Sequence, residues 1–215
     1  MDGLITRYMM IKAIETEYNG YKFRSRLEAR WALFFDLLGI EYEYEPEGII
    51  LSDGTRYLPD FYLPDFKCFF EVKNKSIKDT EEGEAAIHKI KDGAYTDSWA
   101  GLICFGDPHN HDLTIYCQEV DDDGGGSYSG PVLIGLDGYN KPVLHAYWDY
   151  RERRFFNTWG DYEDIPIVTN CGLGNYTTNP YRTQRVINAE LYARQARFEF
   201  GETPITQTRR TTHND

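Results

Sequence analysis

Long apolar segments and paired cysteines are missing from this sequence, and their absence narrows the classes of protein that it can encode. No run approaches the roughly 18 consecutive apolar residues of a membrane-spanning helix, and the N-terminal residues lack the pattern of a secretion signal. The four cysteines (Cys68, Cys104, Cys117, Cys171) lie far apart with no CxxC pair, which indicates neither a zinc site nor a disulfide framework. We therefore expect an intracellular, cytoplasmic protein with no membrane partner.

Aromatic residues, in contrast, are abundant. They make up 15% of the 215 residues, and hydrophobic residues make up 41%, well above what a disordered chain carries. A chain of this length sits near the upper end of what folds as one compact unit. The composition therefore predicts a packed globular protein with a sizeable core.

The formal net charge of -12 argues against a surface that is basic all over, as many nucleic-acid-binding proteins have. The acids are concentrated in segments 41–47, 79–84, 119–123 and 161–164. Arginines cluster elsewhere, at 24, 26 and 30, at 151, 153 and 154, and at 182, 185, 194 and 197. Because a local field can bind phosphate despite net repulsion, nucleic acid remains a candidate partner.

Hydrophobic periodicity predicts alternating helices and strands. In the first half we expect a helix over 25–38, strands near 41–45, 48–51, 56–63 and 67–73, a helix over 79–96 and a buried strand over 100–106. In the second half we expect strands over 131–136, 142–148 and 153–159 and a closing helix over 181–200. The segment DDDGGGSYSG at 121–130 is typical of a flexible loop.

These elements predict an α/β (α+β) fold with an αβββαβ core, extended by additional β-strands and a C-terminal helix. The loop at 121–130 suggests a division into a core over 1–120 and a β-rich extension over 121–215. We expect the two to pack together as one compact unit.

The strand-like segments 57–63 and 68–73 are separated by Pro64-Asp65-Phe66-Lys67, which suits a tight turn. Closing a hairpin with Pro64 opposite Lys67 sets three pairs against each other: Leu63 and Cys68, Phe61 and Phe70, and Asp60 and Glu71. Lys73 lies two residues beyond Glu71 and therefore points to the same face. The hairpin thus presents two opposed acids and an amine on one face, which is unfavourable unless something positive lies between the acids.

Such a pair of carboxylates suits a hard divalent cation. Mg²⁺ takes oxygen ligands and often uses only one or two protein carboxylates, so Asp60 and Glu71 are candidate ligands. A cation there stabilises charge on a phosphate and lowers the pKa of a bound water, while Lys73 is suited to orient or help deprotonate that water. We predict Mg²⁺ or Mn²⁺ as the cofactor.

Glu28 borders the apolar face of the first predicted helix, beside Leu27 and Trp31. One interpretation is structural: its stem packs while its carboxylate reaches water or pairs with Arg24 or Arg30. The other is functional: Glu28 completes the metal shell or holds a metal-bound water. Together with Asp60, Glu71 and Lys73 it forms the predicted catalytic set.

Three motifs also resemble a known family. Arg26-Leu-Glu28-Ala, Leu58-Pro-Asp60-Phe and Glu71-Val-Lys73, in this order and at these separations, are similar to the signature of the PD-(D/E)XK nuclease superfamily. The sequence around these motifs most resembles small stand-alone members that are common in phage and prophage genomes. The resemblance covers residues 20–107.

The resemblance implies a restriction-endonuclease-like core with a mixed central sheet. It also implies DNA as the substrate, and the backbone carbonyl of Val72 as a further metal ligand.

Five basic residues near these motifs are candidates for binding nucleic acid: Arg24, Arg26, Arg30, Lys75 and Lys78. Outward-facing arginines around Glu28 would form a row that contacts phosphates, although Arg26 or Arg30 could instead neutralise Glu43, Glu45 or Glu47. The two lysines follow the Glu-Val-Lys motif, where a loop beside an active site often contacts substrate, but ordinary solvated lysines are equally compatible.

The leading hypothesis is a metal-dependent nuclease that hydrolyses DNA by water attack at a metal-bound phosphate, encoded by a phage and acting in the bacterial host. The alternative is a non-catalytic, nuclease-like module that binds nucleic acid or inhibits a host defence complex, which the charge of -12 would suit. The form of the DNA substrate and the presence of a homodimer stay open.

Overall fold

A computed structural model describes residues 13–96, 100–119, 126–146, 167–169 and 182–198. Within these ranges the chain is mixed α+β, with three α-helices and an eight-stranded central sheet of mixed direction. The helices are α1 (Arg26–Leu38), α2 (Glu81–Thr96) and α3 (Gln184–Gln195). The strands are β1 (Thr16–Tyr18), β2 (Tyr21–Phe23), β3 (Glu43–Tyr44), β4 (Ile49–Ile50), β5 (Arg56–Tyr57), β6 (Phe61–Leu63), β7 (Cys68–Lys73), β8 (Ala100–Asp107), β9 (Asn110–Glu119), β10 (Gly126–Leu136), β11 (Pro142–Ala146) and β12 (Ile167–Thr169).

The central sheet has the strand order β12-β11-β10-β9-β8-β7-β6-β3. Neighbouring strands are antiparallel except for two pairs, β7 with β8 and β11 with β12. Parallel neighbours need a long crossover, and α2 supplies it between β7 and β8. The sheet continues through β9 and β10, so it includes strands from both sides of residue 121.

The first helix begins and ends where the sequence predicts. The Ser25 hydroxyl accepts a hydrogen bond from the Glu28 backbone N–H at 3.2 Å, which caps the N-terminus of α1. Gly39 ends the helix with a φ of 78°, a left-handed conformation that glycine adopts without strain. The helix is buried along most of its length, including Trp31, Phe34 and Phe35.

The central sheet separates two apolar clusters. On one face, α1 packs with Phe61 of β6 and Phe70 of β7, and the apolar side of α3 belongs to the same cluster. On the other face, Ile90 of α2 packs with Ile103 and with residues of the small β4–β5 sheet. The hairpin β6–β7 therefore lies between the two clusters, near the β3 edge of the sheet, with its two faces in different environments.

The hairpin has the predicted register: Phe61 pairs with Phe70 and Leu63 with Cys68. The predicted tight turn is present as well, because the Lys67 backbone N–H donates to the Pro64 carbonyl at 3.1 Å. Pro64–Phe66 form a 3-10 turn and Lys67 adopts a φ of 46°. Because this turn takes up four residues between the paired ends, the register is preserved without a glycine.

The interpretation of residues 121–130 as a flexible loop is wrong for 126–130. These residues form the first part of β10 and pair with Ile115–Glu119 of β9. Pairing with a neighbouring strand overrides the weak intrinsic preference of a Gly- and Ser-rich segment. The predicted strand over 153–159 lies outside the described residues. In the part of the chain that is described, no helix is long and apolar enough to cross a membrane.

Candidate active site

The hairpin β6–β7 brings Asp60 and Glu71 together. Asp60 directly precedes β6, one position beyond the pair formed by Phe61 and Phe70, and its backbone N–H donates to Glu71 Oε2 at 3.3 Å. The two acids are 2% and 5% exposed. Two carboxylates are therefore buried next to each other, as the register predicts.

Three donors hold Glu71. Besides the Asp60 backbone N–H, the Tyr57 hydroxyl donates to Oε2 at 2.7 Å, and the Lys73 ammonium donates to Oε1. Burial, followed by the charge of Glu71, raises the pKa of Tyr57, so this hydroxyl remains a donor. Tyr57 and Lys73 together fix the direction of the Glu71 carboxylate.

Asp60 is held by two donors of different kinds. The Val72 backbone N–H donates to Oδ2 at 2.8 Å, and Arg24 Nη2 donates to Oδ1 at 2.7 Å. Arg24 also forms an ion pair with Glu45, from Nε to Oε1 at 2.7 Å, and its side chain is 55% exposed. The guanidinium thus lies between a buried acid and an acid at the surface.

Glu28 reaches the same region from the start of α1. Its Oε2 accepts from the Tyr44 hydroxyl at 2.7 Å and from the Arg24 backbone N–H at 3.1 Å, and its Oε1 accepts from the Ser25 hydroxyl at 2.6 Å. Glu28 is 7% exposed. Glu28 is a helix-capping residue, and its contact with Arg24 is a hydrogen bond from the backbone N–H. Its role at a metal ion stays a prediction.

The charges in this cluster are out of balance. Three acids (Glu28, Asp60, Glu71) are accompanied by two cations (Arg24, Lys73). Burial, followed by the charge of Glu71, raises the pKa of Asp60 from 3.8 to about 7. Burial alone would lower the pKa of Lys73, but the charges of Asp60 and Glu71 outweigh it and raise that pKa.

A cavity of about 730 Å³ opens beside this cluster. It lies between the first turn of α1, the end of β7 and the β8–β9 turn, and its lining includes Glu28, Val72 and Lys73. Asp60 and Glu71 do not line it, so Lys73 and Glu28 are the predicted catalytic residues that meet the open space.

The carboxylate oxygens of this cluster are the type of ligand that a hard divalent cation prefers. Asp60 and Glu71 offer buried carboxylate oxygens whose mutual repulsion is not fully offset, which is what an added positive charge would relieve. Among the described residues, no three side chains of His, Cys, Asp or Glu are grouped closely enough to hold a metal ion. Mg²⁺ often uses only one or two protein carboxylates and fills its other positions with water and phosphate, so the number of carboxylates in this pair is within what such an ion uses.

The five basic residues predicted to bind nucleic acid do not all lie at the cavity, and the three arginines do not form one row. Arg26, Arg30 and Lys75 line the cavity. Arg24 instead points to Asp60 and Glu45, and Lys78 pairs with Asp112 at 3.0 Å. The neutralisation of Glu45, which was left open for Arg26 and Arg30, is carried out by Arg24.

Three residues that contact the predicted catalytic acids were not identified from the sequence: Ser25, Tyr44 and Tyr57. The spacing Ser25-x-x-Glu28 is a readable capping signal, because serine and glutamate three residues apart often satisfy each other at a helix start. Tyr44 and Tyr57 carry no such signal. Their roles depend on how β3 and the β4–β5 sheet pack beside the hairpin.

Comparison of the chain with protein-family models, with curated proteins and with solved structures found no match.

Proposed function

We propose that this protein is a divalent-cation-dependent nuclease that hydrolyses phosphodiester bonds of DNA. The observation that carries the proposal is the buried pair of Asp60 and Glu71, with Lys73 on the same face and a cavity lined by cations directly beside it. A pair of acids whose repulsion is not fully offset, linked through Lys73 to a cavity that contains basic residues, suits a metal-assisted reaction of a phosphate. The resemblance of the three motifs to PD-(D/E)XK nucleases adds to this support.

In this proposal Asp60 and Glu71 would hold Mg²⁺ or Mn²⁺, the Val72 carbonyl would be a further oxygen ligand, and Glu28 would hold a metal-bound water. When bound, the cation neutralises charge on the scissile phosphate and lowers the pKa of the attacking water. Tyr57 and Lys73 keep Glu71 in place, while the Val72 N–H keeps Asp60 in place.

The state of Lys73 limits what it does. Because Asp60 and Glu71 raise its pKa, Lys73 carries a positive charge at neutral pH. A charged amine donates hydrogen bonds, so its role in this proposal is to orient the attacking water and to stabilise negative charge that develops on the phosphate.

The test is a cleavage assay on linear, nicked, branched and single-stranded DNA with Mg²⁺ or Mn²⁺. The wild-type protein should cut at least one substrate, and Asp60→Asn and Lys73→Ala should not, whereas Glu43→Gln, an exposed acid on β3, should behave as wild type. Calorimetry with Mn²⁺ provides a second readout: binding should be lost in Asp60→Asn. A wild-type protein that binds no cation and cuts no substrate would contradict the proposal and favour the non-catalytic binding module.

A further inference from the structure

One of the acids in the wall of the cavity has no partner. Glu28 on α1, Asp107 at the end of β8 and Glu82 in the first turn of α2 all line this space. Glu82 is exposed, and its carboxylate forms no hydrogen bond or ion pair with any residue that the structure describes. Glu82 is therefore the acid at the cavity whose oxygens are open to a bound molecule.

The two other acids of the cavity are already engaged. Glu28 accepts hydrogen bonds at both of its oxygens. Asp107 Oδ1 accepts from the backbone N–H groups of His109 and Asn110 at 2.9 and 3.1 Å, and Asp107 Oδ2 lies 3.8 Å from Arg194 Nε. A water molecule that donates a proton to either acid would have to compete with these donors.

Close packing fixes the start of α2, which carries Glu82. The next residue is Gly83, and a Cβ at that position would lie 2.2 Å from the Ile77 carbonyl oxygen and 2.6 Å from that of Lys78. Glycine is a poor helix former, but here it allows the backbone to approach this closely. The first turn of α2 is thus held against the 3-10 turn Lys75–Ile77, which also contributes to the cavity wall.

The position of Glu82 is unfavourable for binding a phosphate. Four cations line the same cavity: Arg26, Arg30, Lys73 and Lys75. None of them forms an ion pair with Glu82. These cations attract a phosphate, whereas an unpaired carboxylate repels it and weakens its binding. Binding of substrate therefore does not explain an acid at this position, but a proton transfer during the reaction does.

We propose that Glu82 is the general base of the reaction and takes a proton from the attacking water, which rests on the proposed nuclease function. The water oxygen forms a bond to phosphorus, and the bond from phosphorus to the leaving oxygen breaks with its electron pair on that oxygen. The water proton passes to the Glu82 carboxylate, and the leaving oxygen takes a proton from solvent. Lys73, which donates to Glu71, orients the same water.

Glu82 and Lys73 approach the reaction from different walls of one cavity. Lys73 is the last residue of β7, and Glu82 lies on the helix that follows it. The cavity of about 730 Å³ has the size of a small-ligand pocket, which suits one nucleotide and its attacking water.

The test compares Glu82→Gln with the wild type in single-turnover cleavage of a DNA that the wild type cuts. The rate of the chemical step should fall by about a hundredfold or more, the usual contribution of a general base. DNA binding, measured with EDTA present so that nothing is cut, should be unchanged or tighter, because a negative charge has been removed.

Glu81→Gln and Glu84→Gln are matched controls. Both remove an acid from the same first turn of α2, and neither residue lines the cavity. Each of the three variants loses a similar interaction with the helix dipole, so their urea midpoints should be alike. The two controls should cut DNA within about twofold of the wild-type rate.

Chemical rescue separates proton transfer from a structural role of Glu82. Glu82→Ala leaves space for a small carboxylate, so formate should raise its cleavage rate by about tenfold, while chloride at the same ionic strength should not. Calorimetry with Mn²⁺ should give the wild-type affinity for Glu82→Gln, because a general base is not a metal ligand.

Cleavage by Glu82→Gln at the wild-type rate would overturn this inference and leave the nuclease proposal intact. Equal losses in Glu82→Gln and Glu81→Gln would overturn it as well, since the charge of the helix start would then explain both. Weaker Mn²⁺ binding in Glu82→Gln, or a lost activity that formate does not restore in Glu82→Ala, would assign Glu82 another role. A wild-type protein that cuts no DNA would overturn both proposals together.

Discussion

The protein buries carboxylates at two sites, and the two sites differ in how the negative charge is compensated. Glu190 on α3 is 2% exposed, and the Arg182 guanidinium donates to both of its oxygens, with a distance of 3.0 Å from Nε to Oε1. His109 Nδ1 lies 3.5 Å from the same carboxylate. Here the buried acid is paired with a guanidinium, and this pairing accounts for its burial.

At the other site, Asp60 and Glu71 are similarly buried, but Asp60 shares the Arg24 guanidinium with Glu45, and the nearby charge of Glu28 acts on Asp60 as well. Burying a charge is costly unless it is paired, so an unbalanced cluster persists only if something else compensates for it. The comparison shows that burial of an acid is not by itself a sign of function. The balance of charge around the acid is the more informative property.

The largest difference between the two sites should be in how a substitution changes the rate of DNA cleavage. Glu71→Gln keeps the shape of the side chain but removes the charge, and it should lower DNA cleavage by about a thousandfold, as the loss of a key electrostatic group does. Glu190→Gln should leave the rate within about twofold of wild type, since it contacts neither Lys73 nor Asp60. The rates are compared under single-turnover conditions. Equal loss in both variants would mean that the charge balance does not distinguish them.

The pH dependence of stability should reveal the unbalanced cluster. The pKa of Asp60 is raised from 3.8 to about 7 by burial and by Glu71, so between these values the folded protein binds a proton that the unfolded chain has lost. Stability therefore falls as pH rises from about 4 to about 7, and the effect is absent at lower pH. In Asp60→Asn this fall should be smaller by an amount on the order of 3 kcal/mol.

Urea denaturation of the wild type and Asp60→Asn at pH 4 and pH 8 measures this difference. Comparing the two proteins at each pH cancels the titration of the other acids. A variant that loses as much stability with rising pH as the wild type would show that Asp60 is already well compensated.

At the Glu190 site, by contrast, neutralising the acid should lower the stability of the protein. Breaking the buried pair by Glu190→Gln leaves Arg182 facing an amide and should reduce the free energy of unfolding by about 2 kcal/mol, less than for a fully buried pair because Arg182 is 38% exposed. Glu71→Gln removes a repulsion and should cost less. The urea midpoints of the two variants at pH 8 give the comparison, and a reversed order would show that Glu190 is not a stabilising residue.

How much of this could be predicted from the sequence depends on the range of the interactions. The limits of α1 follow from Ser25 and Gly39, which are local signals, and the opposition of Asp60 and Glu71 follows from the period of a strand and a short connection. The partners of the acids could not be predicted, because Tyr57 and Arg24 reach them through the packing of separate segments. The strand at 126–130 was missed because its stability comes from β9 and not from its own composition.

The same distinction explains the candidate residues for nucleic-acid binding. Arg24, Arg26 and Arg30 are close in sequence, but Arg24 precedes the helix cap while the other two lie within α1. The helix therefore directs Arg26 and Arg30 to the cavity, whereas Arg24 is free of the helical period and reaches Asp60. The spacing of the arginines along the sequence does not show that Arg24 points to a different region from Arg26 and Arg30.

The smallest effect that we predict concerns Arg24, whose guanidinium donates to Asp60 Oδ1 and forms an ion pair with Glu45. A divalent cation at Asp60 would compete with this guanidinium. Since the Arg24 side chain is 55% exposed, the repulsion between the two positive charges amounts to about 1 kcal/mol, so Arg24→Gln should bind Mn²⁺ about fivefold more tightly at pH 8. Calorimetry checks this change, with Arg56→Gln as a control for loss of a positive charge elsewhere. Weaker Mn²⁺ binding in Arg24→Gln would mean that Arg24 positions Asp60 for the cation and does not compete with it.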